Sequence, residues 1–377
     1  MKEVIIIFPQ TNLLWSPSTL NLYDSLDQYF NVTILTFSPD KAISLGKLLN
    51  KKIDYLSFEE SSSRKGIPLI TRLTDEVKIT FLGPGKGLDP LLTANAKLLI
   101  EKIKSVEGYI IAVDFFALWC VQKAGKPAHL FSLEILDNDP YRNQCNFGNI
   151  LSVLIQTCDR YEYIFGKRQI RTFFIQNAPQ YIEQTINYKK RKNTNLIYCG
   201  TAKAEFGFFS CIEFLIDYPE YTLTVQGFIP SSVRNNITDN FGFLLIEKRL
   251  ILMEVYLSPA DLNDFLLDYY IGFVFYDAFR FDFINIFNYK TAPSGKLFQY
   301  YNAGIPVVAI NLPGLKSVEE FSAGILINCL GSKSIAQAIS QISESYVSYA
   351  HGAHKAAAHY DFKASIAPFL DFVETQV

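Results

Sequence analysis

The sequence predicts an α/β protein built from two doubly wound, Rossmann-like domains facing a central cleft. Three observations carry this expectation. The chain has 377 residues, 49% hydrophobic and 19% charged, which is ample for two cores and too apolar for disorder. Short apolar runs alternate with amphipathic segments, the pattern of βα units feeding a parallel sheet. The alternation starts twice, on either side of a polar stretch from Asn187 to Asn195 that includes Lys189, Lys190, Arg191 and Lys192. A charged run without apolar spacing reads as a surface linker.

The elements follow in order. Val4 to Phe8 is apolar behind a single positive charge. It is too short for the core of a signal peptide and reads as a first strand. Further strands are expected at 31–37, 52–56, 77–81, 108–113, 127–133 and 163–165, with helices at 17–29, 88–104, 115–124 and 147–158. The 88–104 segment has apolar residues at helical spacing and Lys97, Lys102 and Lys104 towards its end, a favourable arrangement for the helix dipole. After the linker, strands are expected at 196–199, 221–226, 244–246, 271–275, 307–310 and 324–327. Helices are expected at 206–217, 259–269, 296–302, 335–349 and near 364–374. The domains then span 1–185 and 193–358, with a C-terminal helix within 360–377 packing back on the first. In such domains ligands meet the C-terminal ends of the strands.

Bulk properties narrow the function. A net charge of −2 gives no reason to expect nucleic-acid binding. Aromatic residues reach 15%, which suits core, a sugar- or base-stacking cleft, or a membrane-facing patch. Cys120, Cys145, Cys158, Cys199, Cys211 and Cys329 are scattered without Cys-x-x-Cys spacing, as expected of reduced, mostly buried thiols in a cytosolic protein. No apolar stretch is long enough for a transmembrane helix, while peripheral membrane contact stays open. His351, His354 and His359 read as an exposed helix rather than a metal site, and His129 as core.

The segment from Tyr289 to Ile310 is the most specific. It reads as a loop, a short helix, a Gly-Pro break and a buried strand. Ser294, Gly295 and Lys296 fall at the helix N-terminus, where free N–H groups and the dipole favour an anion. A lysine in the first turn opposes the dipole, a poor choice for the helix alone and a good one beside a phosphate. Gly304 ends the helix, and Pro306 keeps it from continuing. A second turn runs Cys199-Gly200-Thr201-Ala202-Lys203. Gly200 permits a sharp bend at the strand end, and Thr201 and Lys203 are then aimed at the ligand side. In the first half, Asp114 ends a buried strand, either as a base or hydroxyl ligand or as the cap of the next helix. Glu134 follows the apolar Phe131-Ser132-Leu133, with Asp137, Asn138 and Asp139 close behind.

Ser294-Gly295-Lys296-Leu297-Phe298-Gln299-Tyr300 and Gly304-Ile305-Pro306-Val307-Val308 resemble the donor-binding segment of GT-B glycosyltransferases, close to the retaining family 4. The family pattern is Ser-x-Lys-Leu-Phe-Glu-Tyr followed by Gly-x-Pro-Val-Val. Tyr270 to Asp277, Ile155 to Arg160, Gln176-Asn177-Ala178-Pro179 and an asparagine at Asn285 or Asn288 add to the resemblance. It implies a nucleotide-sugar donor on the second domain and an acceptor on the first. Lys296 and Lys203 would support the departing diphosphate, Gln299 the ribose, Tyr256 the base, and Asp114 or Glu134 the reacting hydroxyls. Arg280 is placed to meet a phosphate or an acidic sugar.

Lysines and helix amides can stabilise the leaving group unaided, so neither metal nor cofactor is expected. The chain departs from the family at Gln299, usually Glu, at Thr291, usually acidic, and at Phe206, where a cation often precedes the glycine. The implied activity is hexosyl-type transfer to a glycan or lipid-linked glycan in cell-envelope polysaccharide biosynthesis, in the cytoplasm or on the cytoplasmic face of a membrane. The alternatives are a nucleotide-sugar epimerase or hydrolase on the same scaffold, and a non-catalytic sugar-nucleotide-binding subunit.

Overall fold

The computed structural model describes residues 2–9, 13, 16–37, 50–56, 96–183, 188, 191–255, 257–277 and 286–375. The expected strand 77–81, the first half of the expected 88–104 helix, Tyr256, Arg280 and Asn285 lie outside them. The chain forms two compact units. One comprises Met1–Gln176, Phe283–Asn288 and Ser365–Val377, the other Asn177–Asp282 and Tyr289–Ala364.

The first unit is built on a seven-stranded sheet of order β3-β2-β1-β4-β5-β6-β7, with every pairing parallel. Its strands are β1 (Glu3–Phe8), β2 (Asn31–Phe37), β3 (Ile53–Leu56), β4 (Tyr109–Val113), β5 (Ala128–Ser132), β6 (Ile150–Ile155) and β7 (Thr172–Phe174). Buried on both faces, the inner strands read as continuous apolar runs. Val4, Ile6 and Ile7 of β1 are fully buried, as are Val153 to Ile155 of β6. The order reverses between β1 and β4, the position at which open α/β sheets receive ligands.

The second unit repeats the plan with six parallel strands in the order β10-β9-β8-β11-β12-β13. They are β8 (Asn195–Cys199), β9 (Thr222–Gln226), β10 (Leu250–Met253), β11 (Ile271–Val274), β12 (Val307–Ile310) and β13 (Gly324–Ile327). Its core is strongly aromatic: Tyr198, Phe208, Phe214, Phe273, Tyr300 and Tyr301 are fully buried. The last helix, Phe362–Thr375, has its residues from Ser365 onward in the first unit. There Phe369 meets the buried His129 edge-on at 5.3 Å and Phe173 at 5.4 Å.

Four expectations need correction. The segment 147–158 contains β6, and the helix that follows, Cys158–Phe165, absorbs the expected strand 163–165. A strand buried on both faces has no alternation to distinguish it from a buried helix. The residues 244–246 are the last turn of the Ser231–Ile246 helix, and the edge strand is β10, reached after Lys248 turns the chain at φ +57°. The 335–349 segment is two helices, Ser332–Glu344 and Tyr346–His359, parted at Ser345. Of the six free thiols, Cys120, Cys199 and Cys211 are buried, Cys145 is half-buried, and Cys158 and Cys329 are exposed. Among the described residues no helix is long and apolar enough to cross a membrane.

Candidate active site

In the second unit, the strand ends around the switch between β8 and β11 gather the residues singled out above. β8 runs into Gly200 at φ +102°, and the Gly200 N–H donates to Gln226 O at 2.8 Å. A Cβ on Gly227, itself at φ +138°, would lie 2.4 Å from Gly200 O, so the loops after β8 and β9 touch backbone to backbone. The Tyr198 hydroxyl braces the same loop, donating towards Thr201 O at 3.1 Å and Phe206 O at 3.2 Å. Lys203 is half-exposed and lies 3.7 Å from Glu205, so much of its charge is answered locally. Phe206, in the position of the family's second cation, packs edge-on to Tyr276 and Tyr289.

The Gly295–Asn302 helix starts where the motif predicts. Ser294 is its buried N-cap residue in an extended conformation. Gly295 packs closely, since a Cβ there would meet Asn177 Nδ2 at 3.1 Å. Lys296 and Tyr300 lie one turn apart and share a face turned to β8. The Tyr300 hydroxyl accepts the Cys199 N–H at 2.7 Å, and Lys296 Nζ stands 4.1 Å from the centre of the Tyr198 ring. Lys296 remains half-buried as a residue, but its ammonium is packed near the Cys199 and Cys211 thiols, which burial keeps protonated. Desolvation lowers its pKa to about 8, and among the described residues it forms no ion pair. The ring face compensates only part of the lost hydration. Gln299 is half-buried on the same helix, and Thr291 is buried at the end of the preceding one.

Sequence reasoning missed Glu254, next to Val255 and close in sequence to Tyr256. Its carboxylate accepts the Ile229 N–H at 2.9 Å and pairs with Arg234. An acidic residue directly after a strand was the available signal.

In the first unit, Asp114, Glu134, Arg160 and Asn288 form one connected cluster at the ends of β4, β5 and β6. Asp114 has φ +63°, a strained conformation for a residue with a side chain. It opens the Asp114–Lys123 helix without capping it. Its Oδ1 instead accepts the N–H groups of Leu133 at 2.7 Å and Glu134 at 3.0 Å. Burial, with the neighbouring Glu134 carboxylate, raises the Asp114 pKa to about 7 against the pull of those two amides.

Glu134 presents an exposed residue surface while its carboxyl turns in to accept a hydrogen bond from Asn288 Nδ2. Desolvation pushes its pKa up, and Arg160 and the Asn288 bond oppose the shift. Arg160 is fully buried and donates to Leu133 O and Asn288 Oδ1, both at 2.9 Å. Asn288 Oδ1 also accepts the Ile135 N–H at 3.2 Å. A carboxyl with a pKa near 7 can take or give a proton at neutral pH, and the cluster around it fixes its position. Asp159 is exposed in the first turn of its helix.

The sequence contains one Asp-x-Asp, Asp137-Asn138-Asp139. Asp139 Oδ1 accepts the Tyr141 and Arg142 N–H groups at 2.8 and 3.2 Å, and Asp137 faces the Phe287 N–H at 3.3 Å. Among the described residues no group of His, Cys, Asp and Glu is assembled to hold a metal ion.

No family model matches the chain, and no curated protein matches it in sequence. Solved structures do match over its whole length. HepE from Anabaena, in complex with UDP and glucose, superposes with a TM-score of 0.67 at 14% identity, covering 100% of both chains. The pneumococcal O-GlcNAc transferase GtfA, in complex with UDP and GlcNAc, gives 0.67 at 10% identity over 99% of both. A Listeria monocytogenes protein assigned as a UDP-N-acetylglucosamine 2-epimerase gives 0.57 at 14%, covering 99% of this chain and 96% of that one. The chain therefore has the GT-B fold of two Rossmann-like units. Its resemblance to family 4 in particular rests on the sequence motifs.

Proposed function

We propose that this protein is a nucleotide-sugar-dependent glycosyltransferase of the hexosyl type. The second unit holds the donor and the first acts on the acceptor. The observation that carries this reading is Lys296: a desolvated ammonium with no ion pair among the described residues, in the first turn of a helix. Burying a cation without a partner is costly, and a diphosphate supplies the missing charge. The first amides of the helix point the same way, and charge growing on a leaving diphosphate is stabilised best by such fixed donors. HepE and GtfA, which share the fold, are both seen with UDP.

Lys203 is a secondary contact, shared with Glu205. Gly200 and Thr201 form the loop beside the phosphates, Ser294 and Gly295 lend backbone N–H groups, Gln299 reaches the ribose, and the chain around Tyr256 meets the base. In the first unit, Asp114 exchanges a proton with the acceptor hydroxyl, while Glu134, held by Asn288 beside Arg160, binds the sugar hydroxyls. The reaction needs no metal in this reading, because the Lys296 ammonium and the helix amides supply the positive charge that a departing diphosphate requires. The acceptor is a glycan or lipid-linked glycan of the cell envelope, reached from the cytoplasmic side.

The Listeria neighbour, which shares the fold, is assigned as an epimerase, and the assay must separate the two activities. UDP-sugars are incubated with and without a panel of glycan acceptors, and free UDP is measured. Release that depends on acceptor supports transfer. Release or isomerisation without acceptor supports hydrolase or epimerase chemistry and sinks the transferase reading.

A further inference from the structure

A cavity of about 560 Å³ opens in the first unit, lined by Arg142, Asn143, Asn146, Phe147, Tyr163 and Arg168 among others. None of these residues takes part in the cluster around Asp114. Arg142 is fixed from one side, where Nη2 donates to Asp137 O at 2.9 Å and the guanidinium lies 5.4 Å from the centre of the Tyr163 ring. Its Nη1 is buried and has no hydrogen-bond partner among the described residues. A buried donor left unmade costs its full desolvation, so a small shift of the Arg142 fork that brings Nη1 to an oxyanion in the cavity is favoured. Arg168 is held in a similar way, with Nη1 donating to Phe165 O at 3.1 Å and the guanidinium 5.3 Å from the Phe147 ring centre.

Both guanidinium groups are thus oriented by carbonyls and rings, and among the described residues neither forms a salt bridge. Asp139 is near enough to feel the charge of Arg142, but its Oδ1 is bonded to the Tyr141 and Arg142 amides. The Cys145 thiol in the cavity wall is pushed up to about 12 by burial, so it adds no negative charge at neutral pH. The volume exceeds what a bare oxyanion needs and falls in the range of small-ligand sites. Asn143 and Asn146 offer amides at the rim, and Phe147 and Tyr163 offer ring faces. Tyr163 also stacks on Phe287 at 3.7 Å, and Phe287 precedes Asn288, the residue that grips Glu134.

We propose that this cavity binds an acidic sugar, with Arg142 and Arg168 holding its phosphate or carboxylate and Phe147 and Tyr163 supporting the ring. It would give the first unit a selective grip on a charged acceptor. The inference rests on the proposed function only for the expectation that the ligand is a sugar. Arginine forks suit both oxyanions, and the two sources are separable by experiment.

The test is calorimetric titration of the full chain at low salt with glucose 6-phosphate, glucuronate, inorganic phosphate and glucose, with UDP titrated in parallel. At least one acidic sugar is expected to bind, more tightly than glucose or phosphate and more weakly as salt rises; whichever of the two is preferred names the oxyanion. Arg168→Gln, an exposed position with little bearing on folding, and Arg142→Gln should each weaken that binding about tenfold or more while leaving UDP binding intact. Lys296→Met should leave acidic-sugar binding intact. Glucose or phosphate binding as tightly as the acidic sugars, or acidic-sugar affinity unchanged in both arginine variants, would overturn the inference. So would loss of that affinity in Lys296→Met. Uptake of an acidic sugar through Arg142 and Arg168 by a chain that ignores UDP would instead sink the transferase reading and leave the cavity's role standing.

Discussion

Lys296 places its ammonium 4.1 Å from the centre of the Tyr198 ring, one helical turn before Tyr300 accepts the Cys199 N–H. One helix face therefore does two things. Tyr300 locks the helix to β8, and Lys296 leaves a positive charge beside the loop that begins at Gly200.

An unpartnered buried cation should cost stability. Lys296→Met keeps the length and apolar stem of the side chain and removes the charge. The unliganded variant is expected to melt above the wild type at pH 7. The sign follows from the lowered pKa. Between about 8 and the ordinary 10.5 the unfolded chain holds the proton that the folded chain has lost, so wild-type stability gains a rising contribution across that window. The difference between variant and wild type should shrink there. Thermal melts from pH 7 to 10.5 that run parallel for the two proteins would contradict the burial.

Asp114 carries the opposite sign. Its pKa is raised to about 7, so between the ordinary carboxylate value of 3.8 and 7 the folded state holds a proton that the unfolded state has released. Its contribution to stability falls as pH rises through that window. Asp114→Asn keeps an oxygen for the Leu133 and Glu134 N–H groups and has no such titration. The variant should be at least as stable as wild type at pH 7. Its turnover should fall roughly 10²- to 10⁴-fold, the range of general acid–base catalysis. Full activity in a folded Asp114→Asn protein would remove Asp114 from the chemistry.

Tyr300→Phe deletes the acceptor for a buried N–H. The expected loss is about 1–3 kcal/mol in denaturant unfolding, the cost of leaving such a group unsatisfied. A change within error would mean that Cys199 N–H finds another partner.

Gly227→Ala would set a methyl 2.4 Å from Gly200 O and strain a backbone at φ +138°. Both atoms in conflict are fixed by β8 and β9, so neither can yield cheaply. The variant is expected to lose several kcal/mol of stability or fail to fold, whereas Gly125→Ala, with open space around it, should cost only its strain at φ +77°. Equal melting points for the two would show that the loop contact is softer than it looks.

The fold was legible because buried parallel strands announce themselves as short, mostly apolar runs, and β1, β2, β8, β11 and β12 all do. It was misread where that signal is ambiguous. The Leu151-Ser152-Val153-Leu154-Ile155 run of β6 fits a buried helix as well as a strand, and Leu244 to Ile246 has strand composition at the end of a long helix. Site geometry was legible to different depths. The helix start at Ser294 follows from the motif itself, and its end from the Gly304 and Pro306 break downstream. That Lys296 turns inward onto Tyr198 depends on a contact almost a hundred residues away in sequence, which no local pattern encodes. Asp114 illustrates the same limit. A carboxylate after a strand and before a helix is an ordinary N-cap candidate, and its actual bonds to Leu133 and Glu134 come from the loop that follows the neighbouring strand.

The most direct test of the central claim is calorimetric titration of UDP into wild type and Lys296→Met from pH 6.5 to 9.5. Wild-type affinity should exceed the variant's about 10- to 100-fold at pH 7, the worth of a charge-assisted contact to phosphate. It should then weaken as pH rises past about 8, where the unliganded ammonium loses its proton, with no matching decline in the variant. Equal affinities at pH 7, or two parallel pH profiles, would show that Lys296 does not hold the diphosphate.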